Sequence, residues 1–168
     1  MQRGEREKNA RTTTQLLDGA LLDKSDQRFE VLGALDELSS QLSLFTCALD
    51  EKDAACVKVV LEELWLLSSE VVACGASSAS DRLERIRAAR DAFFDHSPRN
   101  FVHFHGCPAA AQANLARAVC RRAERELVRL AQERPGEVAE EQLLYLDVLS
   151  DWLFLFACRL AGTRDVRI

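Results

Sequence analysis

Apolar residues recur at three- and four-residue steps through five stretches of the chain, the interval at which side chains return to one face of an α-helix. The clearest runs from Ala109 to Arg134, where Ala116, Val119, Cys120, Ala123, Leu127 and Leu130 form one apolar stripe. Pro108 before it and Pro135-Gly136 after it are start and stop signals, because proline is tolerated in a first helical turn and breaks a later one. Val31, Leu35, Leu38, Leu42, Phe45 and Leu49 predict a helix over about Phe29 to Leu49, with Ser25 or Asp26 available as its cap. A Val- and Leu-rich helix carrying Trp65 follows over about Lys52 to Cys74 and stops at Gly75, where the small residues ASSAS read as a loop. Leu83, Ile86, Ala89 and Phe93 predict a more polar helix over about Asp81 to Asp95. The last helix, about Val138 to Ala161, is apolar on most sides and is expected to be the most buried. Before the first helix, ARTTTQLLDGALLDKSDQRFE has apolar pairs without a lasting period and reads as an ordered loop. SPRNFVHFHGCP reads as a short extended linker. The pattern predicts an all-α five-helix bundle in one domain, 1–168, with 1–28 as an N-terminal arm.

Composition narrows the partners. With 168 residues, 48% hydrophobic, the chain can close a single core. A net charge of -5 speaks against general nucleic-acid binding, and no run reaches the length of a membrane span. The first residues lack the apolar region of a signal peptide. Cys47, Cys56, Cys74, Cys107, Cys120 and Cys158 include no CxxC pair and fall mostly on apolar helix positions. They predict free thiols in a reducing compartment, cytoplasmic or mitochondrial.

The candidate chemistry lies on the 109–134 helix. Arg117, Arg121 and Glu124 sit at i, i+4 and i+7, a row beside the apolar stripe, with Arg122 and Arg125 close by. Stacked cations repel, so an anionic counterpart is expected, either acidic residues elsewhere or a phosphate-bearing ligand suited to the guanidinium fork. The plainer alternative is a solvated face neutralised by Glu124 and Glu126. Separately, His103, His105 and Cys107 alternate in the linker and would share one side of an extended segment, a candidate three-ligand metal set weighed against ordinary loop residues.

Four motifs in order resemble one family. ARAVCRRAER (Ala116 to Arg125) and YLDVLSDWLF (Tyr145 to Phe154) resemble the ARxxCRRAER and YLNRLSDLLF signatures of the PduO-type ATP:cob(I)alamin adenosyltransferases. DKSDQRFE (Asp23 to Glu30) resembles their SKDDxRVE, and GALDELSS (Gly33 to Ser40) their GxLDELNS. The resemblance, spanning about Arg11 to Ala161, implies a ferritin-like up-and-down bundle. It also implies a homotrimer, or a subunit of a larger assembly, that binds ATP with Mg2+ and cobalamin in clefts between subunits. The implied reaction transfers the 5′-deoxyadenosyl group of ATP to cobalt and releases triphosphate. Carried over by position, Arg11, Thr12, Thr13, Lys24, Arg117, Arg121, Glu124 and Asp147 fall on the ATP side. Arg117, Arg121 and Asp36 would serve catalysis, Asp36 by pairing with Arg117 across the subunit interface. Phe101, His103 and Asp151 fall on the corrinoid side, where Phe101 would crowd the lower face of the ring and ease reduction of the metal.

Three departures from the pattern fall at that implied site. The TRTGDxGTTSL loop is shortened to Arg11-Thr12-Thr13-Thr14-Gln15-Leu16, which omits glycines that would let backbone N–H groups approach phosphate. Asp147 and Val148 replace Asn and Arg, and the FxLPGG linker reads Phe101-Val102-His103-Phe104-His105-Gly106. A carboxylate beside a triphosphate is repulsive. They open a second expectation, a catalytically degenerate relative acting as a structural or corrinoid-binding subunit.

Overall fold

The computed structural model describes residues 12–15, 19, 21–74, 81–93, 102–162 and 166–167, the last two by backbone alone. Asp26 opens the first helix, α1 (Gln27–Thr46): its carboxylate accepts the Arg28 backbone N–H and fills an otherwise orphan donor. Asp50 does the same for α2 (Glu51–Val72) by accepting from Asp53 N–H. The stop expected at Gly75 lies outside the described residues; within them, Cys74 takes a positive φ of 50° after α2. Then follow α3 (Arg82–Asp91), α4 (Pro108–Glu133) with its proline in the first turn, and α5 (Glu140–Ala161), closed by Gly162 at φ 59°. The five predicted helices are all present, their bounds shifted by a few residues as frayed ends allow.

The segment expected to be an ordered loop is instead a hairpin. β1 (Thr13–Gln15) pairs antiparallel with β2 (Leu21–Asp23), Thr13 opposite Asp23 and Gln15 opposite Leu21. Strands of three residues are too short to show alternation, but β-branched Thr13 and Thr14 favour extended backbone, and Gly19 supplies the positive φ, 89°, in the connection. The linker is extended as expected, and it is also paired: β3 (Val102–His103) joins β4 (Val166–Arg167).

Helix α4 packs against α1 and α5, α2 against α1, and α3 against α5. Helices α1 and α4 run antiparallel, Asp26 at the head of α1 and Glu37 within it meeting Arg134 at the end of α4 and Arg122 within it, whereas α3 runs parallel to α5, with Arg82 beside Glu141 and Phe93 beside Trp152. The predicted stripes are the core. Val31, Leu35, Leu38, Leu42 and Phe45 of α1 and Ala116, Cys120, Ala123 and Leu127 of α4 are buried, each large side chain adding roughly 1.5–3 kcal/mol. As expected, α5 is the most enclosed helix, with Tyr145, Leu146, Leu149, Trp152, Leu153 and Phe156 inside.

A polar layer joins α2, α3 and α5. Arg82 donates to both oxygens of Glu70 at 2.9 and 2.7 Å, Gln142 donates to Glu70 at 2.8 Å, and the Tyr145 hydroxyl donates to buried Glu63 at 2.9 Å. Pairing offsets the desolvation of these groups and fixes how the helices face one another. Among the described residues no helix is long and apolar enough to cross a membrane, and the six cysteines form no disulfide.

Candidate functional site at the rim between α4 and α5

On α4 the buried stripe leaves Arg117 and Glu124 half-buried beside it and Arg121 exposed. One step round the core, α5 presents Asp147 and Asp151 one turn apart, with Val148 turned inward between them. The two helices bring these groups into electrostatic reach. Burial first, then the charge of Asp147, pushes the Glu124 carboxyl above its ordinary value, while Arg121 and Arg125 pull it down. Burial, then Asp147, raises the Asp151 carboxyl too, and Arg90, Arg121 and Arg117 oppose the rise. The rim is therefore a mixed patch of three carboxylates and several guanidinium groups.

Arg117 is the most firmly held cation of the row. Its Nε donates to Asn114 Oδ1 at 2.9 Å, and its guanidinium lies 5.5 Å from the centre of the Phe154 ring. Phe154 is braced edge-on by Phe104 of the linker at 6.1 Å. Beneath the row, the Cys120 thiol lies within 3.3 Å of the Leu146 carbonyl oxygen, and burial pushes its pKa far up, so it is a packing group and not a nucleophile.

The neutralised face weighed as an alternative exists, but on other arginines. Arg122 pairs with Glu37 of α1, and Arg129 pairs with Glu126 at 2.7 Å. Gln27 also donates to the Glu126 carbonyl and carboxylate at 3.0 and 2.9 Å, which ties the start of α1 to this side of α4.

The hairpin leads directly into the start of α1. Lys24 N–H donates to the Thr12 carbonyl at 2.7 Å, so Thr12, Thr13 and Lys24 form one unit despite the shortened loop. Asp26, two residues on, accepts from Arg134 at 2.7 Å near the end of α4. Within one chain, then, Thr12, Thr13 and Lys24 form a unit just ahead of α1, while Arg117, Arg121 and Glu124 share their charge interactions with Asp147 and Asp151 of α5. Asp36 is exposed on α1, and the α1 carboxylate that reaches α4 is its neighbour Glu37. Arg11 and Phe101 lie outside the described residues.

In the linker His103 and His105 are exposed and Phe104 is buried between them, but Cys107 is taken up as the residue before the first turn of α4. Among the described residues no three His, Cys, Asp or Glu side chains form a metal-holding group, so the alternation does not assemble into a ligand set. Arg90, Asn114 and Phe154 belong to the rim and were not singled out from sequence. Asn114 stands three residues before Arg117, on the same helix face, and was detectable; Arg90 arrives on α3, and only tertiary packing places it.

Comparison with known proteins adds independent findings. A family model described as cobalamin adenosyltransferase matches residues 7–160. A corrinoid adenosyltransferase PduO from Salmonella typhimurium is 33% identical over 155 residues, covering 86% of this chain and 46% of that protein, so the chain spans about half the length of that relative. A cobalamin adenosyltransferase from Cupriavidus metallidurans is 33% identical over 167 residues, covering 92% of this chain and 87% of its own. A solved variant of a PduO-type ATP:corrinoid adenosyltransferase from Lactobacillus reuteri, complexed with cobalamin and ATP, superposes with a TM-score of 0.83 at 18% identity, over 96% of this chain and 93% of that one.

Proposed function

Since this chain belongs to the cobalamin adenosyltransferase family, we propose that it transfers the 5′-deoxyadenosyl group of ATP to cob(I)alamin and releases triphosphate. The cobalt(I) substrate supplies the electron pair, a cobalt–carbon bond forms at the ribose 5′ carbon, and the bond from that carbon to the triphosphate oxygen breaks. The nucleophile is strong on its own. The protein's share is to orient the 5′ carbon, neutralise the leaving triphosphate and keep water out.

The observation that carries this reading is the state of the arginine row. Arg122 and Arg129 on the same helix close ion pairs with Glu37 and Glu126, whereas among the described residues Arg117 and Arg121 close none. Arg117 is oriented by an amide and an aromatic ring, contacts that fix its plane without consuming its charge. Such guanidinium groups are prepared for an anion.

Thr12, Thr13 and Lys24 lead into α1, whose start meets α4 through Gln27 and Asp26 away from α5, which suits a cleft completed by a second copy: the hairpin of one chain would meet Arg117, Arg121 and Glu124 of the next. Asp36 would then pair with Arg117 across that contact in a trimer, Arg11 and Mg2+ would join the phosphates, and Asp147 would face the nucleotide. Asp151, His103 and Phe101 would border the corrinoid. The thiols suit a reducing compartment, the cytoplasm or the mitochondrial matrix.

The test is anaerobic incubation with MgATP and chemically reduced cob(I)alamin, following adenosylcobalamin by absorbance. Turnover is expected, and Arg121→Ala should lower it by about 10²-fold, the scale of losing one charge-stabilising donor. No turnover from folded protein would overturn the reading in favour of a structural or corrinoid-binding subunit.

A further inference from the structure

Two contacts decide which part of the Arg117 guanidinium stays open. The group is a planar fork with five N–H donors. Asn114 Oδ1 takes the one on Nε at 2.9 Å, and the group sits over the Phe154 ring, 5.5 Å from its centre. That leaves the outer edge, Nη1 and Nη2, the pair that grips two oxygens of a phosphate at once.

Asn114 is a poor choice for stability alone. It stands well inside α4, where asparagine is a weaker helix former than alanine, and its side-chain contact with Arg117 recovers only part of the difference. Its neutrality has a direct counterpart on the same helix. Glu126 stands three residues before Arg129, the same spacing, and closes an ion pair with it at 2.7 Å. An acid in the place of Asn114 would neutralise Arg117 in the same way. Asp151 of α5 is a second competitor: burial raises its carboxyl and Arg117 is among the cations that oppose the rise, so the two are within electrostatic reach. An Arg117 released from Asn114 would have an acidic partner to turn to.

We propose, building on the nucleotide reading above, that Asn114 is a positioning residue for the triphosphate: it holds Arg117 by Nε and keeps the Nη1–Nη2 edge free for phosphate oxygens. A neutral holder aims the cation and leaves it unpaired.

Calorimetric titration of the full chain with inorganic triphosphate and with MgATP tests this. Asn114→Ala should weaken binding of both about five- to tenfold, while the thermal midpoint stays level or rises. Asn114→Asp, nearly identical in shape, should weaken it by about tenfold or more, because the new carboxylate pairs with Arg117. In an Arg117→Ala background, Asn114→Ala should change the affinity by less than about twofold, since its effect passes through Arg117. Wild-type affinity in either Asn114 variant, or an equal loss from Asn114→Ala when Arg117 is already absent, overturns the positioning role and leaves the nucleotide reading standing. Wild-type chain that binds neither triphosphate nor MgATP overturns both.

Discussion

Asp147 shows how one side chain alters a shared electrostatic patch. Its charge, after burial, raises the carboxyl groups of Glu124 and Asp151. A carboxyl raised in the folded state holds more protons there than in the unfolded chain, so stability falls as pH rises through the window above the ordinary values of 4.5 for Glu and 3.8 for Asp. Asp147→Asn should therefore stabilise the protein at pH 7 by about 0.2–0.5 kcal/mol, the scale of relieving one exposed like-charge pair, and leave it nearly unchanged once the carboxylates are protonated. Urea unfolding across that range checks this; an equal gain at every pH would refute the electrostatic cause. If ATP binds as proposed, the same variant should bind it more tightly, because it would remove a negative charge beside the phosphates. The spacing of Arg117, Arg121 and Glu124 was plain in the sequence. That Arg117 would be oriented by Asn114 and Phe154, while Arg122 went to Glu37, was not, since those fates depend on which neighbour each face of α4 meets.

Among the elements, α1 depends on a cap that also joins it to the far end of α4. Asp26 accepts the Arg28 backbone N–H at 3.0 Å, the Arg28 side chain at 3.1 Å and Arg134 at 2.7 Å. The hydrogen bond from the Arg28 side chain is the main reason its carboxyl is held below the usual range, so this contribution is present at neutral pH and lost as pH falls through that lowered value. Asp26→Ala should cost about 1–2 kcal/mol in urea unfolding, and Asp26→Asn less, because the amide still caps the helix. Hydrogen exchange should speed up first in the opening turn of α1. The five helices were legible because their stripes persist for several turns. The hairpin was not: three residues per strand carry no period, and its partner strand is a matter of closure rather than composition.

The whole molecule is held by what α5 touches. Phe156 is fully buried and meets Phe45 of α1 at 5.3 Å, Trp152 of its own helix at 5.0 Å and Phe93, just beyond α3, at 5.3 Å. Phe156→Ala should cost about 3–5 kcal/mol, since the side chain is lost and the helices around it cannot collapse fully into the space. Tyr145→Phe keeps the ring but strands part of buried Glu63, and about 1–3 kcal/mol is expected. Both are read as shifts of the unfolding midpoint. A loss under 1 kcal/mol for Phe156→Ala would mean that the aromatic contact between α1 and α5 is not central to the bundle.

The sequence by itself determined the helices, their buried stripes and the arginine row, and its ordered motifs pointed to the family, because each of these is written in local spacing. Only the tertiary structure decided which arginines are neutralised and which remain open, that Thr13–Gln15 pairs with Leu21–Asp23 as a hairpin ahead of α1, and that Arg90 reaches the rim. Those outcomes depend on residues far apart in the chain being brought together, and a helical period fixes a face without naming the neighbour that face will meet.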